Sequence, residues 1–157
     1  MVKSKIQNIG AALLGGSLLW MFIMRQSVRV GVRGISLNGL MTLDVIPLRV
    51  AIYLINDSIG SILVRSINCQ LVSNGLVVAS ISQNLNKRIP SHGSVEQDLF
   101  VDIHNQAALS SFFANVQTGD VTSTSFTLVG EVVIGEHYPL SIKINKLFTW
   151  EEIKNML

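Results

Sequence analysis

Histidine and acidic side chains are the residues of this chain whose types and spacing could support metal binding or catalysis. The histidines are His92, His104 and His137, and Asp102 stands two residues before His104. On a strand this spacing places Asp102 and His104 on one face, where both could bind a metal ion. However, the sequence contains no H-x-x-x-H or H-E-x-x-H spacing. We therefore expect no metal, no cofactor and no catalytic residue, and we interpret His92 and His137 as exposed turn residues.

Three carboxylates and the single cysteine are the other candidates for chemistry. Glu96, Asp98 and Asp102 share strand parity. They could bind a cation, but a solvent-exposed acidic face is the reading that we favour. Cys69 cannot form an internal disulfide, and we expect it to be a small buried residue on a strand. Because no G-x-S-x-G motif is present either, the sequence favours a protein that is not an enzyme.

The composition indicates a surface that meets lipid or other subunits. The chain has 157 residues, enough for one domain plus one appendage, and only 14% of them are charged. Soluble domains carry about 25% charged residues. The first 33 residues contain five basic residues and no acid: Lys3, Lys5, Arg25, Arg29 and Arg33. The remainder carries seven basic and ten acidic residues, so we expect no nucleic-acid partner.

An uncharged stretch at residues 9–24 predicts an amino-terminal anchor. As a helix, residues 6–24 would rise about 28 Å, close to the ~30 Å thickness of a bilayer's hydrocarbon core. Basic residues lie on both sides of the stretch, and Trp20 lies near one end, as expected of an interfacial aromatic. The residues predicted to contact the membrane, or a hydrophobic socket of partner subunits, are Ile9, Leu13, Leu14, Leu18, Leu19, Trp20, Phe22 and Ile23.

A cleaved signal peptide is the competing interpretation of this stretch. No small-x-small cleavage site follows Met24, which favours an uncleaved anchor. The basic residues on the two sides nearly balance, so the orientation in a membrane stays open. Small residues four apart permit close helix packing and a homo-oligomer: Ala11 with Gly15, and Ala12 with Gly16.

Period-two alternation of apolar residues predicts strands in the rest of the chain. It is clearest at Leu48, Val50, Ile52 and Leu54, which fall on one face. Strands are predicted at 28–37, 48–55, 62–71, 76–81, 95–103, 126–134 and 138–144. Asn74-Gly75 between apolar runs predicts a hairpin turn, and the polar residues 84–94 predict a loop.

Three local features complete the prediction. Apolar residues recur at three-and-four spacing over 105–117, which predicts a short amphipathic helix. Gly130 is interpreted as a strand bulge. Thr149 and Glu152 have capping-box spacing, which predicts a short helix at the carboxyl terminus.

Together these elements predict a mainly β protein. The fold expected is an antiparallel seven-strand sandwich, immunoglobulin- or fibronectin-like, with one inserted short helix and a preceding hydrophobic helix. The expected domains are the anchor at 1–27, the sandwich at 28–148 and the short terminal helix at 149–157.

The order of the turn motifs resembles the type-2 late embryogenesis abundant family, also called the WHy domain. The resembling pieces are Asn56-Asp57-Ser58 after a strand, the hairpin at 73–76 and Arg88-Ile89-Pro90-Ser91 before a strand. Val129-Gly130-Glu131 and the segment at 138–142 follow. The family usually has Asn-Pro where this chain has Asn56-Asp57. The resemblance implies a sandwich without a catalytic centre, often tethered by an amino-terminal membrane segment, with a protective, structural or interaction role.

Two functions are therefore expected. One is a membrane-anchored, non-enzymatic sandwich that contacts other proteins through its loops. The alternative is a structural subunit of a large assembly, such as a phage virion or envelope complex, in which residues 9–24 insert into lipid or into neighbouring subunits.

Overall fold

The computed structural model describes residues 19, 27–42, 44–104, 106, 109–110, 114, 117–118, 125–149 and 151–152. Leu19 is helical and exposed. The other predicted anchor residues and the four small residues lie outside this part, so the amino-terminal helix stays a prediction. No helix within the described part is long and apolar enough to cross a membrane.

Seven antiparallel strands form two sheets, as the sequence predicted. The strands are β1 (Val28–Leu37), β2 (Ile46–Asn56), β3 (Ile62–Ser73), β4 (Leu76–Ile89), β5 (Ser94–Ile103), β6 (Ser125–Ile134) and β7 (Leu140–Thr149). One sheet has the order β1-β2-β5 and the other has the order β4-β3-β6-β7.

The chain crosses between the sheets three times, and the crossings define two different ends. The proximal end consists of Ser27, the β2–β3 loop (57–61), the β4–β5 turn (90–93) and the β6–β7 loop (135–139). It holds two of the crossings. The distal end consists of the β1–β2 loop (38–45), the β3–β4 turn (74–75), the described residues between β5 and β6, and residues 149–152. It holds one crossing and two hairpins.

The core lies between the inner faces of the two sheets. Leu48, Val50, Ile52 and Leu54 are each at most 1% exposed, which confirms the predicted face of β2. The facing sheet contributes Ile67 and Leu71 from β3, with Leu128 and Val132 from β6, each fully buried. Burial of these branched side chains removes apolar surface from water, which is the main force that holds the two sheets together.

The loop predicted at 84–94 is wrong over its first half. β4 continues to Ile89, which pairs with Ile62, and the turn is confined to residues 90–93. The polar residues belong to an edge strand, whose outer side chains face solvent. The register shifts between Val64 and Ser66, and Asn86 has a positive φ of 46°. A strand that is polar and irregular at this point looks like a loop in the sequence.

The bulge predicted at Gly130 is also wrong. Gly130 pairs in register with Cys69 and Ile144, and the register of β3 shifts elsewhere. The glycine is required by close packing, because a Cβ there would lie 2.6 Å from Cys69 Cα and 2.7 Å from its Sγ. The position therefore needs a missing side chain rather than a special backbone angle.

Fragments of the two predicted helices fall within the described residues. Gln106, Leu109, Ser110, Ala114 and Gln117 are helical, and Leu109 is buried against the core. The rest of the segment predicted as a helix at 105–117 lies outside the described part, so its extent stays a prediction. The capping box is present: the Thr149 amide donates to Glu152 Oε2 at 2.9 Å, and the Glu152 amide donates to Thr149 Oγ1 at 3.3 Å. Of the terminal segment, Glu151 and Glu152 are described, and both are helical.

Candidate functional site: the loops of the proximal end

The structure does not bring the predicted chemical residues together. His92 and His137 are exposed in two turns of the proximal end, as the sequence predicted, and His104 is exposed after β5 at the distal end. Ten residues of β5 separate the two ends, which corresponds to about 30 Å. In the described part of the chain, no group of three or more histidine, cysteine or acidic side chains could hold a metal ion.

Two carboxylates of β5, Glu96 and Asp98, pair with arginines on the other two strands of the same sheet. Glu96 forms an ion pair with Arg33 of β1, and Asp98 Oδ1 lies 3.0 Å from Arg49 Nε of β2. These pairs lie on the outer face of the three-stranded sheet and are partly exposed. The two carboxylates are thus neutralised by cations already present on the protein.

Cys69 is buried on β3, as predicted, and we expect its thiol to react slowly. Its side chain is 3% exposed, and burial raises the pKa of the thiol to about 11. A thiol that stays protonated at neutral pH is a poor nucleophile. The four-stranded sheet has an open depression of about 630 Å³ beside it, lined by both polar and apolar residues, among them Asn68, Glu131 and Ile144. A hydrogen bond from Lys143 lowers the pKa of Glu131.

Asn56 is the central residue of the proximal end. It is fully buried at the end of β2. Its Nδ2 donates to the carbonyl oxygens of Gly60 (2.7 Å), Ile89 (3.2 Å) and Pro90 (2.9 Å). Its Oδ1 accepts from the amide and the hydroxyl of Ser58, at 2.9 and 2.7 Å. One side chain therefore ties together the two loops that cross between the sheets.

Backbone bonds reinforce this junction. The Asn56 amide donates to the Gly93 carbonyl at 2.9 Å, and the Ser91 hydroxyl donates to the Ser58 carbonyl at 2.9 Å. Both loops contain pieces of the motif that resembles the WHy domain, Asn56-Asp57-Ser58 and Arg88-Ile89-Pro90-Ser91. In three dimensions these two pieces are halves of one hydrogen-bonded unit.

Sequence reasoning interpreted Asn56 only as a turn residue and missed its burial. The signal was present in the strand parity. Leu48, Val50, Ile52 and Leu54 face the core, and Asn56 is the next residue of the same parity. A polar side chain on a core-facing position needs internal hydrogen-bond partners. Its partners on the β4–β5 turn, however, lie more than thirty residues away in the sequence.

The chain enters the sandwich at this same junction. The Asp57 amide donates to the Ser27 carbonyl at 2.7 Å, directly before β1. Arg29 binds the Asp57 carboxylate with two nitrogens, at 2.6 and 3.0 Å. The hydrogen bond from Arg29 holds the pKa of Asp57 below its usual value. Ser27, the residue directly before β1, is therefore attached to the β2–β3 loop.

The third loop of the proximal end is held by arginines. Arg65 donates to the carbonyl oxygens of Gly135 and Glu136, at 2.7 Å for Gly135. Arg88 Nη2 lies 2.7 Å from the Glu136 carboxylate and lowers the pKa of that group by hydrogen bonding. All three loops are thus bonded to the strands beside them. These hydrogen bonds hold the backbone of the three loops in place, and most side chains of the loops are exposed to solvent.

No family model and no curated protein sequence matches this chain. Solved structures share its fold. A putative late embryogenesis abundant protein is 13% identical with a TM-score of 0.57, over 99% of this chain and 91% of that one. A protein from Arabidopsis thaliana has 13% identity and a TM-score of 0.56, over 76% of this chain and 80% of that one. A protein from Archaeoglobus fulgidus has 14% identity and a TM-score of 0.50, over 78% of this chain and 94% of that one. At these identities the likeness shows the fold alone.

Proposed function

We propose that this chain is a membrane-anchored, non-enzymatic β-sandwich protein of the type-2 late embryogenesis abundant (WHy) kind, with an immunoglobulin- or fibronectin-like body. The observation that carries the proposal is the junction between anchor and body. An uncharged stretch ends at residue 24, and Ser27 is already bonded to the β2–β3 loop. Such a short connection suits a body that is held close to a bilayer.

The family assignment is supported by the order and the contacts of the turn motifs. Asn56, Ser58 and Pro90 belong to the pieces that resemble the WHy pattern, and they share one hydrogen-bonded unit. The fold shared with a putative late embryogenesis abundant protein agrees with this assignment. The family's Asn-Pro is replaced here by Asn56-Asp57, and the Asp57 amide donates a bond that proline could not.

A structural or protein-interaction role is supported by apolar side chains left exposed on the described body. Several lie at or near the distal end, which an amino-terminal anchor would hold farthest from the bilayer: Leu40, Leu76, Val77 and Leu147. Exposed apolar residues at the end of a protein that lies farthest from its anchor are available for contacts with other proteins. The small residues within the anchor stretch would also permit a homo-oligomer.

The anchor is tested with the full chain by membrane fractionation. We expect the wild-type protein to sediment with membranes, to resist a high-salt wash and to be released by detergent as a single species. Leu14→Asp combined with Leu18→Asp should shift most of the protein to the soluble fraction, because charges in a hydrocarbon span are costly. Leu40→Asp, at a position 92% exposed on the body, is the matched control and should stay with the membranes.

The same experiment discriminates the alternative role in a large assembly. Release only when a particle is dissociated, with no effect of mild detergent, would favour a socket in neighbouring subunits. A soluble wild-type protein would overturn the proposed anchor altogether.

A further inference from the structure

We propose that the proximal end is a bilayer-contact surface, with Ile59 inserted into the lipid interface and Tyr138 at the level of the headgroups. This inference rests on the proposed anchor and deepens it. It states which face of the sandwich meets the membrane and which side chains touch lipid.

Ile59 is the first observation. It lies at the tip of the β2–β3 loop and is 93% exposed. The residues on either side of it are fixed, because Ser58 is bound by Asn56 and the Ser58 hydroxyl donates to the Gly60 carbonyl at 2.8 Å. A rigid loop therefore holds a large apolar side chain outwards in water. Such a side chain gains free energy when it enters an apolar phase.

Tyr138 is the second observation, from a different loop of the same end. It is 54% exposed in the β6–β7 loop, between Gly135 and the start of β7. Tyrosine prefers the interface of a bilayer, where the ring contacts acyl chains and the hydroxyl meets headgroups. The loop that carries it is fixed to Arg65 through two carbonyl oxygens.

The path of the chain indicates that the partner of this surface is a bilayer. β1 begins at the proximal end, and the uncharged stretch ends three residues before Ser27 in the sequence. Because three extended residues span only about 10 Å, a membrane-inserted stretch would bring this end to the bilayer. The distal end cannot meet the same leaflet, since a sandwich with ten-residue strands separates the two ends by about 30 Å.

The two ends also differ in charge, and the difference favours the proximal end as the one that faces the membrane. At the proximal end the carboxylates of Asp57 and Glu136 are paired with Arg29 and Arg88, and Arg65 is an additional cation. The described residues of the distal end and the four strand residues next to each of its loops carry four carboxylates (Asp44, Asp102, Glu151 and Glu152) against two cations, Arg49 and Lys146. A phospholipid surface with anionic headgroups repels the distal end and accepts the proximal one.

The test places a fluorescent probe at each end of the full chain, reconstituted in vesicles of phosphatidylcholine with phosphatidylserine. Ile59→Cys carries the probe at the proximal end. Leu40→Cys is the matched control, because Leu40 is 92% exposed at the distal end. Cys69 can remain in place, since a buried thiol of raised pKa reacts slowly at neutral pH. Quenching by lipids with a nitroxide near the headgroup is then measured.

We expect the Ile59 probe to be quenched at least threefold more strongly than the Leu40 probe, with a blue-shifted emission. Tyr138→Cys should also be quenched, whereas Phe100→Cys, 60% exposed on the outer face of the three-stranded sheet, should not. If the protein floats with the vesicles but both end probes are quenched equally weakly, the contact surface is wrong and the anchor stands. If the protein does not float at all, both proposals are overturned.

Discussion

The two ends of the sandwich are stabilised by different means. Among the described residues, the buried polar ones are Asn56, next to the proximal end, and Ser73, next to the distal end. Asn56 makes five side-chain hydrogen bonds across two loops, whereas the Ser73 hydroxyl donates to the Ser125 carbonyl at 3.1 Å. The difference follows from the topology, because two segments of the chain cross between the sheets at the proximal end. Carbonyl groups from both crossing segments accept from the Asn56 side chain at this point.

The β3–β4 hairpin of the distal end instead depends on turn residues with positive φ. The β3–β4 hairpin has Asn74 at φ 51° and Gly75 at φ 78°. A hairpin satisfies its own backbone groups, so it requires the right conformation but no buried hub. The Asn56 side-chain network therefore fixes the two crossings of the proximal end, whereas local backbone geometry fixes the β3–β4 hairpin of the distal end.

The largest effect is expected from removing the Asn56 side chain. Asn56→Ala removes five side-chain hydrogen bonds and leaves the buried Ile89 carbonyl without this donor, so we expect a loss of about 3 kcal/mol in the free energy of unfolding. Ser73→Ala removes one bond and should cost about 1 kcal/mol. Urea denaturation of the purified full chain in mild detergent measures both. Equal losses would show that the two ends are not stabilised differently.

The next prediction concerns Cys69, which lies on β3 between the two ends. The folded thiol has a pKa of about 11, whereas the thiol of an unfolded chain ionises near 9. Between these values the folded state retains a proton that the unfolded state has lost, so stability falls as pH rises. The fall is about 2–3 kcal/mol by pH 11. Cys69→Ala should remove this part of the alkaline decline, as seen in denaturation curves from pH 8 to 11, and an unchanged slope would contradict it.

Glycine substitutions compare the backbone of the two ends directly. A Cβ at Gly75 or at Gly60 meets no atom within 4 Å, so steric contact plays no part. Gly75 has a positive φ, and Gly75→Ala should cost about 1 kcal/mol. Gly60 has no such angle, and Gly60→Ala should be neutral or slightly stabilising. Thermal unfolding of both variants tests whether local geometry matters more at the distal end.

The smallest effect is expected from the exposed ion pair at the proximal end. Arg29 lowers the pKa of Asp57, so the stability it contributes is present above the ordinary carboxyl pKa. It is lost as pH falls through the lowered value. Arg29→Gln should therefore shift the denaturation midpoint slightly at pH 7, and the shift should shrink as the pH is lowered below the ordinary carboxyl pKa. A shift that stays constant as the pH falls would assign the effect to packing of the arginine stem instead of to charge.

Local sequence patterns predict the seven strands, the hairpin at 73–76, the burial of Cys69 and the capping box at Thr149. These features depend on residue parity or on spacings of a few residues, which are visible within a short window of sequence. Only the folded structure shows which strands that are distant in sequence pair with each other. That pairing extended β4 to Ile89 and made Gly130 a close-packing position instead of a bulge. It also converted Asn56 from a turn residue into a buried hub, because its acceptors on the β4–β5 turn reach it only once the two sheets are closed.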